Sequence, residues 1–408
     1  MPLLLLLLLL LPAAAGPLED YRVEAQEQSP AVQAAWQRWQ AAQAEIAVAR
    51  ALPEPMLDLG LMLRSGQLRV GLSQAFPWPT GLQAEGQAAR AEAMVAQRAF
   101  EAQAVERAAA VERAYWELWE LRAAQAVLVE HGAVLAGLSG ATRARLEVGQ
   151  ASLADVQQVD LAAARLEDSR LALQARERAA EAELRALLGR RDRESMLTDP
   201  QRPPLAQPSD SPEALEAAVL AHPWLGAAEE QVAVAEAMIR RAKARGAPEF
   251  NAGVEWTLPA YEGTGDHVVT EPEGLMVGLG VRLTLWQRSY AQGVVAAKAG
   301  AEGARAEQRA MGDEALAMLE ATRIELADSE RRARLIEQTL LPQAQASLDS
   351  LLGALSTDRG SLAQVLMAQR ELLELRLEAD MVRAAHARAW AALEQLSGRP
   401  LTRSEGAE

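Results

Sequence analysis

The run S-L-A-D-V that opens at Ser152 and the run L-R-A-L-L-G-R that closes at Arg190 both return 209 residues later. They come back as S-L-A-Q-V from Ser361 and L-E-Q-L-S-G-R up to Arg399, with no gap between. Serine is a preferred N-cap and glycine a preferred helix stop, so each run reads as one long helix, Ser152 to Gly189 and Ser361 to Gly398. Upstream the echo persists at shifted offsets: Ser29-Pro30 answers to His222-Pro223, Pro55 to Pro248, and Val70-Gly71-Leu72 to Val277-Gly278-Leu279. Solenoid repeats recur every ~20–50 residues, so a period this long marks a duplicated, domain-sized unit.

Between the echoes the hydrophobic period changes. Leu57, Leu59, Leu61 and Leu63 alternate with Asp58, Gly60, Met62 and Arg64. After a turn at Ser65-Gly66, Leu68, Val70 and Leu72 alternate with Arg69, Gly71 and Ser73. This is a β-hairpin over 55–76 with one apolar face and one polar, small-residue face. In the second half Val254, Trp256 and Leu258 alternate with Gly253, Glu255 and Thr257, and a loop holding Gly263, Gly265 and Pro272 follows. Then Leu275, Val277, Leu279, Val281, Leu283 and Leu285 stand opposite Met276, Gly278, Gly280, Arg282 and Thr284, completing a hairpin over 249–286. Alternation sustained from 275 to 285 has the length of a transmembrane β-strand, ~9–11 residues. Phe76, Trp78, Phe250, Trp256, Tyr261 and Trp286 gather around the hairpins as interfacial girdle residues do. A half-buried soluble sheet alternates in the same way, so the strands alone leave both readings open.

The rest of the chain reads as helix. Ser29-Pro30 starts one that Pro53 and Pro55 stop near Leu52. From Gly81 to Leu146 there is no proline and the pattern is Ala-rich, a helix of roughly 100 Å. Gly149 turns the chain and Ser152 restarts it. A Pro-rich linker over 190–211 leads to Ser211-Pro212, and a helix from Pro223 to about Arg245 reaches the second hairpin. The second long helix runs from about Tyr290 to Leu352, with Pro342 expected to kink or split it. A turn at Thr357-Asp358-Arg359-Gly360 precedes the last helix, and the tail after Pro400 reads as disordered. The expected organisation is a first repeat over 16–189 and a second over 212–398, with a tail over 399–408. The fold class is mostly α with a small β part: long helical hairpins plus four strands.

Net charge is −15, which argues against nucleic acid as a partner. The absence of cysteine excludes disulfides and thiolate metal ligation. Leu3–Leu11 followed by Ala13-Ala14-Ala15 reads as a secretory signal over 1–15, although the usual basic n-region is missing. No run of 18 apolar residues follows, so an exported chain that crosses a membrane does so as a β-barrel. Four strands cannot close one, and open edges cannot face lipid. The arithmetic therefore demands oligomerisation, and three copies would supply twelve strands and a closed pore. His131, His222, His267 and His386 have no ligand-type spacing, so no metal site is expected. Most of the mature methionines sit at helical spacing in apolar faces and read as core packing. No nucleophile–base set or phosphate loop stands out, so neither enzyme activity nor a cofactor is expected.

The segments V-G-Q-A-S-L-A-D-V-Q-Q-V (Val148–Val159) and D-R-G-S-L-A-Q-V-L-M-A-Q (Asp358–Gln369) resemble the paired hairpin tips of the outer membrane efflux protein family, the TolC-like channels. The resemblance extends over nearly the whole mature chain in element order, duplication and terminal L-x-x-L-x-G-R motifs. It implies a trimer with a twelve-stranded barrel in the outer membrane of a Gram-negative bacterium and a helical tunnel through the periplasm. It also implies two partners, a periplasmic adaptor and an inner-membrane pump of RND or ABC type. G-L-S-Q-A-F-P-W-P (Gly71–Pro79) and T-L-W-Q-R (Thr284–Arg288) resemble the heavy-metal efflux branch. A type I secretion duct is an alternative within the family, and a non-pore periplasmic adaptor is the alternative outside it.

The resemblance places the two tips at the periplasmic end. Val148, Gly149, Gln150, Arg359 and Gly360 are then candidates for adaptor docking, with glycine allowing close backbone approach. Asp155, Arg359 and Gln364 are candidates for the gate, with Asp155 able to pair with Arg359 across adjacent hairpins. Ser361-x-x-Gln364 fits a capping box and Ser152-x-x-Asp155 is close to one, which offers the plainer reading that both serines only start helices. Related channels often carry acidic residues at the positions matching Gln364 and Met367; this chain does not. Asp58, Arg64, Arg69, Glu255 and Arg282 are the expected barrel-lumen residues.

Overall fold

A computed structural model of the chain describes residues 17–62, 67–192, 195–258, 261–262, 269–270, 273–357 and 359–403. The expected leader, Arg64 and Asp358 lie outside the described residues. The chain divides into two compact units that cut across the two sequence repeats. One comprises Ala34–Glu101 and Pro223–Asp313; the other comprises the segments up to Gln33, Ala102–His222, and from Glu314 onward.

The first unit carries the sheet. Strands β1 (Met56–Met62), β2 (Gln67–Phe76) and β3 (Glu249–Leu258) precede β4 (Tyr261–Glu262) and β5 (Val269–Thr270), which pair with each other. β6 (Gly274–Arg282) completes an antiparallel sheet of order β1-β2-β3-β6. The register aligns the alternation read from the sequence into rows. Leu57, Leu72, Val254 and Val277 form one apolar row, and Leu59, Val70, Trp256 and Leu275 form the next. The row at the other end is Phe76, Phe250 and Val281. This face is uncovered: Leu57 is 62% and Leu279 85% exposed. β6 ends at Arg282 rather than Leu285, because its partner β3 begins at Glu249, opposite Arg282. Thr284 instead turns to the backbone, donating to the Gly246 carbonyl at 2.8 Å and accepting at its own carbonyl from Gln287 Nε2 at 2.6 Å.

Four helices enter this unit: α2 (Pro30–Val48), α3 (Pro79–Glu147), α6 (Pro223–Ala244) and α7 (Gln287–Leu335). α2 stops at Val48, four residues before the expected Leu52. Short-range bonds from the Arg50 and Ala51 amides to the Ala47 and Val48 carbonyls tighten its end. Trp36 and Trp39 of α2 close on Phe100 of α3 at 5.3 and 6.0 Å. Ion pairs join Arg241 to Glu85 (2.5 Å) and Arg305 to Glu236 (2.6 Å).

The second unit is helical. It contains α1 (Pro17–Gln28), α4 (Leu153–Leu188), α5 (Pro212–Leu220), α8 (Leu341–Ser356) and α9 (Leu362–Ser397), with the later parts of α3 and α7. Its core gathers Tyr21, Val111, Tyr115, Leu118, Leu184 and Leu188. The sequence reading did not assign α1, although Tyr21 and Ala25, one turn apart, are its buried face. Arg22 of α1 reaches Glu394 of α9 at 2.8 Å and lies 3.6 Å from Glu112 of α3. Burial first, and the neighbouring Glu394 carboxylate second, push Glu112 up to about 7, while Arg22 opposes the shift. His386, wholly buried, holds the Pro-rich linker by accepting from the Ala206 N–H at Nε2 (3.1 Å). Burial pushes its pKa down, and a neutral ring suits that bond.

Pro342 does split its helix. A π-turn, Ile336–Leu340, intervenes between α7 and α8. The proline ring would collide with the carbonyl four residues back, and widening the turn relieves that clash. Two expectations are overturned. Residues 401–403, the described part of the chain after Pro400, are packed: Leu401 is buried and donates its N–H to Glu394 Oε1 (3.0 Å). Ser209 N–H donates to the Thr402 carbonyl at 3.1 Å. An apolar side chain and an unpaired linker edge give this segment partners that its composition does not reveal. Most of the described methionines are not core packing either, and Met238 and Met311 are only half-buried. Met56, Met94, Met196, Met276, Met318, Met367 and Met381 are exposed, and none is buried among the described residues. Their apolar faces are surfaces of the single chain. No helix among the described residues is long and apolar enough to cross a membrane.

Candidate functional site

The face of the sheet opposite the leucines holds the charged residues. Asp58, Gly71, Glu255 and Met276 make one row, and Gly60, Arg69, Thr257 and Gly274 the next. Asp58, Arg69, Glu255 and Arg282 thus share one face, as alternation requires. Arg69 Nη1 stands 3.5 Å from Glu255 Oε1, and Arg282 Nη1 lies 2.6 Å from Glu249 Oε2. These cations are neutralised in place, while Asp58 has no ion pair among the described residues. At one end of the sheet an aromatic group marks the limit of the apolar band, and at the other Leu61, Leu68 and Leu258 make the last apolar row. Phe76, Phe250 and Trp78 stand at one end, with Trp78 and Phe250 5.8 Å apart; Trp256 stands toward the other. Phe250 and Trp256 are six residues apart along β3, or ~20 Å of strand.

The second candidate region is the pair of helix-hairpin turns, α3 to α4 and α8 to α9. At the first, Gly149 takes a left-handed conformation (φ 75°). Its N–H donates to the Leu146 carbonyl (3.0 Å) and the Gln150 N–H to the Arg145 carbonyl (2.8 Å), a Schellman stop. Val148 stands exposed beside it. Ser152 then caps α4 in a full capping box: the Asp155 N–H donates to Ser152 Oγ at 3.2 Å, and the Ser152 N–H to Asp155 Oδ2 at 2.8 Å. The Ser152 backbone bond, then its hydroxyl, hold the Asp155 carboxyl below its ordinary value.

The second turn is built differently. The N–H groups of Arg359 and Gly360 both donate to the Ala354 carbonyl, at 2.9 and 3.0 Å. A Cβ on Gly360 would stand 2.8 Å from the Leu355 nitrogen and 3.0 Å from the Ala354 carbonyl carbon. Close approach, the reason expected for glycine at both tips, therefore applies at Gly360. At Gly149 no neighbour lies within 4 Å of a Cβ, and the positive φ is what requires glycine. The Ser361 N–H reaches Gln364 Oε1 at 3.4 Å, a looser form of the box.

Within the chain, Asp155 is engaged by Ser152, and no ion pair joins it to Arg359 among the described residues. Farther from the tips, Arg376 and Arg388 of α9 join the hairpins through Glu130 and Glu120 of α3; at the tips a link comes from a residue not singled out by its sequence pattern. Arg145 Nη1 donates to the Leu355 carbonyl at the end of α8 (2.8 Å), while Leu138 of α3 packs on the cluster of Leu348, Val365 and Leu372. A cation in the last turn of a helix beside a tight turn was the available signal, since such groups cap exposed carbonyls. Arg143 and Ser139 of α3 bind Asp160 of α4 at 2.9 Å each, fastening the first hairpin to itself. Among the described residues no group of acidic and histidine side chains could hold a metal ion.

The family model described as outer membrane efflux protein matches residues 22–190, the first repeat. Comparison with curated protein sequences finds no match. Several solved structures share the fold. The outer-membrane channel OprN is 18% identical, with a TM-score of 0.79 over 94% of this chain and 90% of its own. The outer membrane protein VceC from Vibrio cholerae is 19% identical, with a TM-score of 0.76 over 94% of this chain and 96% of its own. CusC, whose structures concern folding and transmembrane channel formation, is 15% identical, with a TM-score of 0.79 over 95% and 93%. The family model thus matches the first repeat, and the fold shared along almost the whole chain is that of these outer-membrane channel structures.

Proposed function

We propose that three copies of the chain close a twelve-stranded barrel and form the exit duct of a tripartite efflux system. The observation that carries this reading is the sheet itself. It has four strands, outer edges at β1 and β6 that no strand pairs among the described residues, and an uncovered apolar face. Such an edge is tolerated in lipid only when another strand pairs with it. In the assembled barrel the apolar rows face lipid and the face with Asp58, Arg69, Glu255 and Arg282 lines the lumen. The ion pairs within that face make the barrel wall weakly selective for charge.

The duct has no energy source. An adaptor docks at Val148, Gly149, Gln150, Arg359 and Gly360, and opening separates the hairpin ends near Asp155, Gln364 and Arg359. Arg145 bridges the two hairpins of one chain there and holds them together. The cargo is small solutes passed on by an inner-membrane pump, heavy-metal ions among them on the resemblance of 71–79 and 284–288. The test is outer-membrane fractionation with a heat-modifiability gel, followed by single-channel recording in planar bilayers. A heat-dissociable trimer that conducts is the expected result. Recovery as a soluble periplasmic monomer would overturn the reading.

A further inference from the structure

Helices α2 and α3 leave between them a cavity of about 690 Å³, walled by Trp39, Ile46 and Met94 and edged by Arg50 and Arg90. Arg50 has a fitted place: its side chain crosses Gly86 of α3, where a Cβ would stand 2.8 Å from Arg50 Cγ and Nε. Arg90 follows one turn along the same helix. Neither guanidinium has an ion-pair partner among the described residues. In the same unit Arg98, Arg241 and Arg305 are each paired with a glutamate, whereas Arg240, Arg245 and Arg288, like Arg50 and Arg90, have no ion pair among the described residues. What sets Arg50 and Arg90 apart is their place at the edge of an apolar trench. That combination fits a ligand with an anionic head and a hydrocarbon body.

The position selects among such ligands. Arg50 lies six residues before β1, and Gly86 lies seven residues into α3, ~10 Å from its start. The belt of Phe76, Trp78 and Phe250 lies at the adjoining end of the sheet. Aromatic belts sit at the membrane–water interface, and basic pockets just beyond it bind lipid headgroups. We propose that this groove is a binding site for an acidic phospholipid, its phosphate between Arg50 and Arg90 and an acyl chain along Trp39, Ile46 and Met94.

The test is native mass spectrometry of the full-length protein in detergent with phosphatidylglycerol or phosphatidylcholine of matched chains. Phosphatidylglycerol should be retained about tenfold more, the scale of one strong charge-assisted contact. The double variant Arg50→Gln/Arg90→Gln should abolish that preference. Gly86→Ala, which keeps both charges but displaces Arg50, should weaken it several-fold. An unchanged oligomer on a heat-modifiability gel shows that each variant folds. Equal retention of the two lipids, or a preference that survives the double variant, overturns the site. The chain has no cysteine, so Gln43→Cys at the groove can be labelled alone with a water-soluble maleimide. Labelling of the lipid-free protein, blocked by phosphatidylglycerol, is expected. No labelling without lipid would mean that a neighbouring copy fills the groove, and that also overturns the proposal.

Discussion

The two hairpin tips descend from one duplicated segment, yet glycine serves each for a different physical reason. Gly149 supplies a left-handed backbone in open space, while Gly360 makes room for a backbone that folds back over the last turn of α8. The caps diverge in the same way. Asp155 accepts a charge-assisted bond of 2.8 Å where Gln364 accepts a neutral one of 3.4 Å. The bridge between hairpins is also one-sided, since Arg145 serves the Leu355 carbonyl. A duplicated sequence thus retains its topology while its local physics drifts, and the two tips of one chain are not equivalent.

The sharpest way to break this comparison is to give both glycines a methyl group. Gly360→Ala should loosen the second tip by about 1–3 kcal/mol, because backbone atoms, not a flexible side chain, must move. Gly149→Ala should cost about 1–2 kcal/mol, from the left-handed conformation alone. Hydrogen exchange on peptides covering 138–160 and 348–370 reads the two tips separately. A larger loss of protection at Gly149 than at Gly360 would reverse the assignment of reasons.

Arg145→Ala should come next, at about 1 kcal/mol for one hydrogen bond from a charged donor. Its effect should appear at the second tip, through the exposed Leu355 carbonyl, as well as the first. Protection lost only in the peptide that contains residue 145 would show that the bridge holds nothing.

The caps should separate by less. Asp155→Ala should lower first-tip protection by about 0.5–1 kcal/mol, and Gln364→Ala should lower the second by a few tenths. The pH sharpens the contrast. Asp155 is held below its ordinary value in the folded chain, so its contribution is fully present above about pH 4. It is lost as the pH falls through the lower folded value, because the unfolded chain then takes up the proton first. Acidification through that range should loosen the first tip and leave the second, capped by an uncharged glutamine, unaffected. Equal acid sensitivity at the two tips would remove the distinction.

Much of the fold was legible because periodicity records which face is buried. Leu57, Leu59 and Leu61 announced one face of β1, and the proline-free stretch after Gly81 announced α3. The π-turn was legible as a disturbance, since Pro342 cannot continue an α-helix unperturbed. α1 was not, because in isolation its only mark is Tyr21 and Ala25 at one-turn spacing. The role of Arg145 was hidden for a similar reason, as its acceptor lies 210 residues away in the sequence. The methionines misled because helical spacing reports an apolar face without saying whether the same chain covers it.

The sequence by itself determined the duplication, the order of helices and strands and the two faces of the sheet. These follow from local dihedral preferences and from the two periods of hydrophobic alternation. Only the tertiary structure decided how the repeats are cut into compact units, which glycine is sterically required and which is conformational, and which cations are neutralised. It alone paired Arg69 with Glu255 and left Arg50 and Arg90 without an ion pair among the described residues, beside an apolar groove. Those outcomes depend on contacts between segments far apart in the chain, and a linear pattern carries no record of such distances.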